Sequence, residues 1–108
     1  MMLQGLTEWE SEVVLRCVRA AVEGPFFPDC EFHTLFGLER AEVAAVADRW
    51  PETNDADENV RLAINNSLAN LLGYPHGESE AFRHRVGESG EEVERIFRKW
   101  RQWCGLSA

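Results

Sequence analysis

Lysine is almost absent from this chain: of eleven basic residues among 108, ten are arginine and Lys99 stands alone, against nineteen acidic residues and a net charge of −8. A field of that sign repels phosphate backbones and anionic bilayers, which argues against non-specific contact with nucleic acid or a membrane surface. Cysteine is scarce and odd in number. Cys17, Cys30 and Cys104 are widely spaced and form no C-x-x-C pair, so no secreted disulfide framework is implied. No apolar run approaches the roughly 20 residues of a membrane span, and residues 1–10 lack the basic and apolar regions of a signal peptide. A reducing bacterial cytoplasm is the expected location. Repeats, low-complexity tracts and Ser/Gly linkers are missing, and β-branched residues nowhere alternate over the length of a strand. Phosphate-loop, dinucleotide and Gly-x-Ser-x-Gly signatures are missing too, so no cofactor is expected and no catalytic triad is assigned.

What is present is material for one core. The chain is 44% hydrophobic, with four tryptophans and six phenylalanines, and its length suits a single domain, with an ordered core expected over about residues 6–104. Turn signals cut it into segments of helical period. Thr7 precedes Glu10 by three residues, a capping-box spacing, and opens a helix with Trp9, Val13, Cys17 and Ala20 or Ala21 on one face. Gly24-Pro25 ends it, the glycine suited to a left-handed cap. After the Phe26–Phe27 connector, Asp29 caps a short helix to Phe36, Gly37 breaks it, and a second helix from about Glu39 carries Val43, Val46, Ala47 and Trp50 up to Pro51. Asp55 or Asp57 caps a helix burying Val60, Ile64, Leu68, Leu71 and Leu72; Ser79 opens a short one reaching Val86. Ser89, with Glu92 three residues on, starts the last, whose stripe is Val93, Ile96, Phe97 and Trp100. The pattern predicts an all-α, single compact domain of five or six short helices with no sheet.

Several constellations bear on function. Residues 31–47 are similar to a helix-turn-helix, with a short helix, a glycine turn and a second helix containing small residues. The would-be recognition helix shows Glu39, Glu42 and Asp48 beside Arg40 and Arg49, and carboxylates in a major groove meet phosphate repulsion. A structural corner is the better reading. Asn65, Asn66 and Asn70 interrupt a helix in which asparagine is a poor former. Asn66 and Asn70 lie one turn apart, able to anchor backbone of the Phe26–Phe27 connector or an adjoining turn, or to bind a polar ligand together with Tyr74 and His76 of the following turn. Cys30 and His33, one helical turn apart, make too small a set for a zinc site, and the Asp55-Asp57-Asn59 run fails the calcium-loop pattern for want of a glycine at its sixth position and a glutamate at its twelfth. No metal is expected.

Positions 1–54 hold four basic against ten acidic residues, and positions 55–108 seven against nine. Arg95, Arg98, Lys99 and Trp103 gather in the last helix as a candidate docking patch for a protein partner or a second copy. The phrases Gly24-Pro25-Phe26-Phe27-Pro28-Asp29 and Asn65-Asn66-Ser67-Leu68-Ala69-Asn70-Leu71-Leu72-Gly73-Tyr74-Pro75-His76 resemble those of a small all-helical actinobacterial family without an assigned activity, over Leu6 to about Trp100. The resemblance implies a cytoplasmic bacterial helical domain. The expected function is a non-enzymatic protein-interaction module; the alternatives are a regulatory domain derived from a helix-turn-helix, and an enzyme or ligand-binding protein with a site near Asn66, Tyr74 and His76.

Overall fold

A computed structural model describes residues 5–50, 52 and 56–105, and among these six helices form, each where a local signal starts or stops it. The first, α1 (Glu8–Glu23), opens on the expected capping box: Thr7 Oγ1 accepts from the Glu10 N–H at 3.1 Å, and Glu10 Oε1 accepts from the Thr7 N–H at 2.8 Å. Its end differs from expectation. Gly24 is extended (φ −85°, ψ 173°) instead of left-handed, and glycine is required there for space, since a Cβ would lie 2.4 Å from the Phe26 ring. Asp29 is the first residue of α2 (Asp29–Phe36) instead of its cap, and Gly37 closes that helix in the left-handed region at φ +69°.

The third helix, α3 (Arg40–Asp48), stops before Trp50, which therefore leaves the helical stripe and is only half-buried. Pro51, expected as the stop, and Asp55, one of two expected caps, lie outside the described residues. Asp57 caps α4 (Glu58–Gly73), accepting from the Asn59 and Val60 amides. Glu78 precedes α5 (Ser79–Val86) with no side-chain cap bond, and Ser89 caps α6 (Gly90–Trp103) at the Glu92 amide. Among the described residues there is no strand, and no helix is long and apolar enough to cross a membrane.

One core unites the helices. The chain packs into a domain with a radius of gyration of 12.5 Å, close to the size expected of about 100 compact residues. Helix α1 lies at its centre, touching α3, α4, α5 and α6. Its buried face is Glu10, Ser11, Val13, Val14, Cys17, Val18, Ala20 and Ala21, while Trp9, expected on that face, is 45% exposed because in the first turn the covered side is that of Glu10 and Ser11, and Trp9 falls beyond its edge. Ile64, Leu68, Leu71, Val93, Ile96 and Trp100 close the core from α4 and α6; Val60, Leu72 and Phe97, at the margins of their stripes, are half-buried.

The Phe26–Phe27 connector is fixed by a cation and by rings. Arg40 Nη1 donates to the Val22 carbonyl at 2.7 Å and Nη2 to the Phe27 carbonyl at 2.9 Å, so one side chain serves the end of α1 and the connector together. The same guanidinium meets Asp29 at 2.9 Å and lies 4.3 Å from the Phe32 ring centroid. Phe26 and Phe27 are buried, Phe27 edge-on to Phe36 and Tyr74.

Candidate functional site

The asparagines on α4 act as a clamp on α2. The last carbonyls of any α-helix lack intrahelical partners. Asn66 Nδ2 donates to the Phe36 carbonyl at 2.7 Å, and Asn70 Nδ2, one turn along, donates to the Leu35 carbonyl at 3.1 Å. The anchored backbone is thus the turn that closes α2 and not the Phe26–Phe27 connector, which falls to Arg40. Asn65 extends the network: it donates to Asn66 Oδ1 at 3.1 Å and accepts from Arg101. A line of side chains therefore runs from α6 through α4 to the end of α2.

Tyr74 and His76 are elsewhere in purpose. They line a cleft of about 420 Å³ bounded by the end of α4, by α5 and by the turn before α6, whereas Asn66 and Asn70 do not reach it. The structure thus divides the four candidate residues into two pairs. His76 is held by both ring nitrogens. Nδ1 accepts from the Glu78 N–H at 2.9 Å, which leaves the proton of the neutral ring on Nε2, 3.0 Å from the Leu71 carbonyl. With Phe26 edge-on at 4.9 Å, the imidazole is a wall of the cleft and has no free lone pair for base catalysis or metal ligation. The Tyr74 hydroxyl donates to Glu31 at 2.6 Å; that bond first, with burial and the nearby negative charge added, raises its pKa above the ordinary phenol value.

The cations of the α6 patch are engaged within the chain. Glu10, 3% exposed, receives Lys99 Nζ at 2.7 Å and Arg95 Nη1 at 3.2 Å. Burial would raise the pKa of this carboxyl, but the Lys99 bond and charge, the Thr7 amide and Arg95 outweigh it and bring it down to about 2. Arg98 pairs with Glu94 at 2.8 Å, one turn back. Trp103 is 58% exposed, and its ring lies against Gly5, where a Cβ would come within 2.6 Å of it.

The side chains of the α2–Gly37–α3 corner are largely engaged within the chain. Arg40 is turned to the carbonyls of Ala21, Val22 and Phe27, to Asp29 and to the Phe32 ring, and Glu39 and Glu42 form a capping box at the start of α3. Cys30 is exposed on α2, Cys17 is buried with its thiol pushed up to about 12 by desolvation, and no group of three or more potential metal ligands occurs among the described residues.

Sequence reading missed Arg83 and Glu88, which share the cleft, and the double duty of Arg40 and Glu10. The capping-box spacing marked Glu10 as a helix start; nothing local marked Lys99 as its partner, 89 positions away. No family model matches the chain, and no curated protein or solved structure matches it either.

Proposed function

We propose that the chain is a non-enzymatic protein-interaction module that docks through the end of the molecule where α1 begins and α6 finishes. The observation that carries this reading is the pair Trp9 and Trp103, 45% and 58% exposed. Trp9 adjoins Glu10 and Trp103 follows Lys99 by four residues, so both lie within about one helical turn of the Glu10–Lys99 contact. Tryptophan is the residue most enriched at interface hot spots, where a large apolar body leaves water. The ion pairs around Glu10 hold the two helix ends in register and give the tryptophans a rigid base, which lowers the entropic cost of docking. Arg98 and Gln102, exposed on α6, supply a polar rim.

A bacterial cytoplasmic setting and a protein partner or second copy belong to the same proposal. Contact with duplex DNA is the weaker alternative, because α3 turns Arg40 inward and presents Glu42 and Asp48 outward on a chain of charge −8.

Light scattering and affinity capture from a bacterial lysate test the reading, comparing the native chain with Trp9→Ala/Trp103→Ala. The expected result is a dimer or a captured protein that the folded double variant loses. A monomeric native chain that captures the same proteins as the variant overturns it. Binding to duplex DNA that weakens steeply with salt would favour the regulatory alternative instead.

A further inference from the structure

The cleft beside Tyr74 and His76 contains two opposite charges that do not meet. Arg83, on α5, and Glu88, in the turn before α6, both line it, and neither side chain has a hydrogen bond or ion pair with another described residue. Leu71, Leu72 and Phe82 line the same cleft and provide apolar surface. We propose that this cleft binds a small zwitterion with an apolar body, of the class of free hydrophobic α-amino acids.

Four properties lead to that class. The volume of about 420 Å³ is within the range of small-molecule sites and ample for a ligand the size of leucine. A carboxylate placed at Arg83 and an ammonium placed at Glu88 satisfy two charges that no other described side chain pairs, each by a charge-assisted hydrogen bond. Ser79, one turn before Arg83 at the start of a helix that has no side-chain cap, adds hydrogen-bond donors on the carboxylate side. A zwitterion also carries no net charge. The −8 field that opposes a simple anion does not oppose it, and a simple cation paired with Glu88 would leave Arg83 without a counter-charge.

The wall is preformed. His76 is fixed by Leu71, Glu78 and Phe26, and Tyr74 by Glu31 and Phe27, so binding requires little ordering of the site. Their role here is shape, and the charged rim selects the ligand.

The test is an amide-resolved NMR titration of the full chain with L-leucine to about 10 mM, a range suited to weak small ligands. Saturable shifts confined to residues 71–90 are expected. 4-Methylpentanoate and 3-methylbutylamine, each lacking one of the two charges, should bind at least about tenfold more weakly, as should leucine to Arg83→Ala or Glu88→Gln, with folding checked by circular dichroism. Trp103→Ala should titrate as the native chain does, so this proposal and the tryptophan face fail separately. Absence of a saturable shift, shifts centred elsewhere, equal binding of either single-charge analogue, or undiminished binding to both rim variants overturns the inference.

Discussion

The end of α2 and the start of α1 are both tied to helices far away in sequence, but by different chemistry. At α2, neutral amides of Asn66 and Asn70 meet backbone carbonyls. At α1, a carboxylate that is nearly inaccessible to water meets Lys99 and Arg95. An amide–carbonyl bond is indifferent to pH and to moderate salt, and its loss exposes the helix-end carbonyls that it satisfied. A buried carboxylate gains from its cations only while ionised, and burial without them would be costly. The two joints should therefore fail under different conditions.

The largest effect expected lies in packing beneath the charged joint. Trp100 is fully buried on α6, and Trp100→Ala should cost about 3–5 kcal/mol in a denaturant melt. Trp50, half-buried beyond the end of α3, should cost only about 1–2 kcal/mol when truncated. Equal losses at the two sites would mean that the end of α3 packs as deeply as α6.

Glu10 comes next, with a signature in pH. Its carboxyl is depressed from an ordinary 4.5 to about 2, so its contribution is complete above pH 4.5 and is lost as pH falls through about 2. The size of the shift sets a ceiling of about 3 kcal/mol. Melts of the native chain and Glu10→Gln should differ most at neutral pH and converge near pH 2. A difference that stays constant from pH 7 to pH 2 would show that the carboxylate charge contributes nothing to the joint.

Asn66→Ala should cost about 1–3 kcal/mol, because the Phe36 carbonyl loses its donor. Unlike the Glu10 penalty, this one should be the same at pH 7 and pH 3. An unchanged or higher melting midpoint would shift Asn66 from structure toward a binding role, since residues that serve binding are often poor for stability.

Much of the architecture was legible in the sequence because its signals are local. Thr7, Asp57 and Ser89 cap helices as their side chains suggest, Gly37 breaks the chain after Phe36, and apolar residues at helical spacing form the core. The misreadings arose where geometry between elements decides. Trp9 and Trp50 fit their helical stripes by spacing, yet Trp9 falls beyond the edge of the face that Glu10 and Ser11 bury, and α3 ends before it reaches Trp50. Asn66 was readable as an anchor from its poor helix propensity, but which turn it anchors depends on how α2 crosses α4. The cleft was half-legible: the turn with Tyr74 and His76 stands out as punctuation, whereas Arg83 and Glu88 are ordinary surface residues in sequence and become a pair only through the fold.

The smallest effect expected is also the sharpest comparison, because it concerns the residue next to Asn66. Ser67 is fully buried on α4, and its hydroxyl has no hydrogen-bond partner among the described residues. A helical serine usually turns its hydroxyl back to the carbonyl four residues earlier, which here would be that of Ala63; without that bond the group bears its desolvation cost uncompensated. Removing the oxygen leaves a void smaller than a methyl group, so the loss of packing is slight. Ser67→Ala should accordingly leave stability unchanged or raise it by up to about 1 kcal/mol, opposite in sign to Asn66→Ala one position away. Paired thermal melts of the two variants make the measurement. A loss above about 1 kcal/mol at Ser67 would mean that its hydroxyl is bonded in solution, and the contrast between a used and an unused polar group on α4 would disappear.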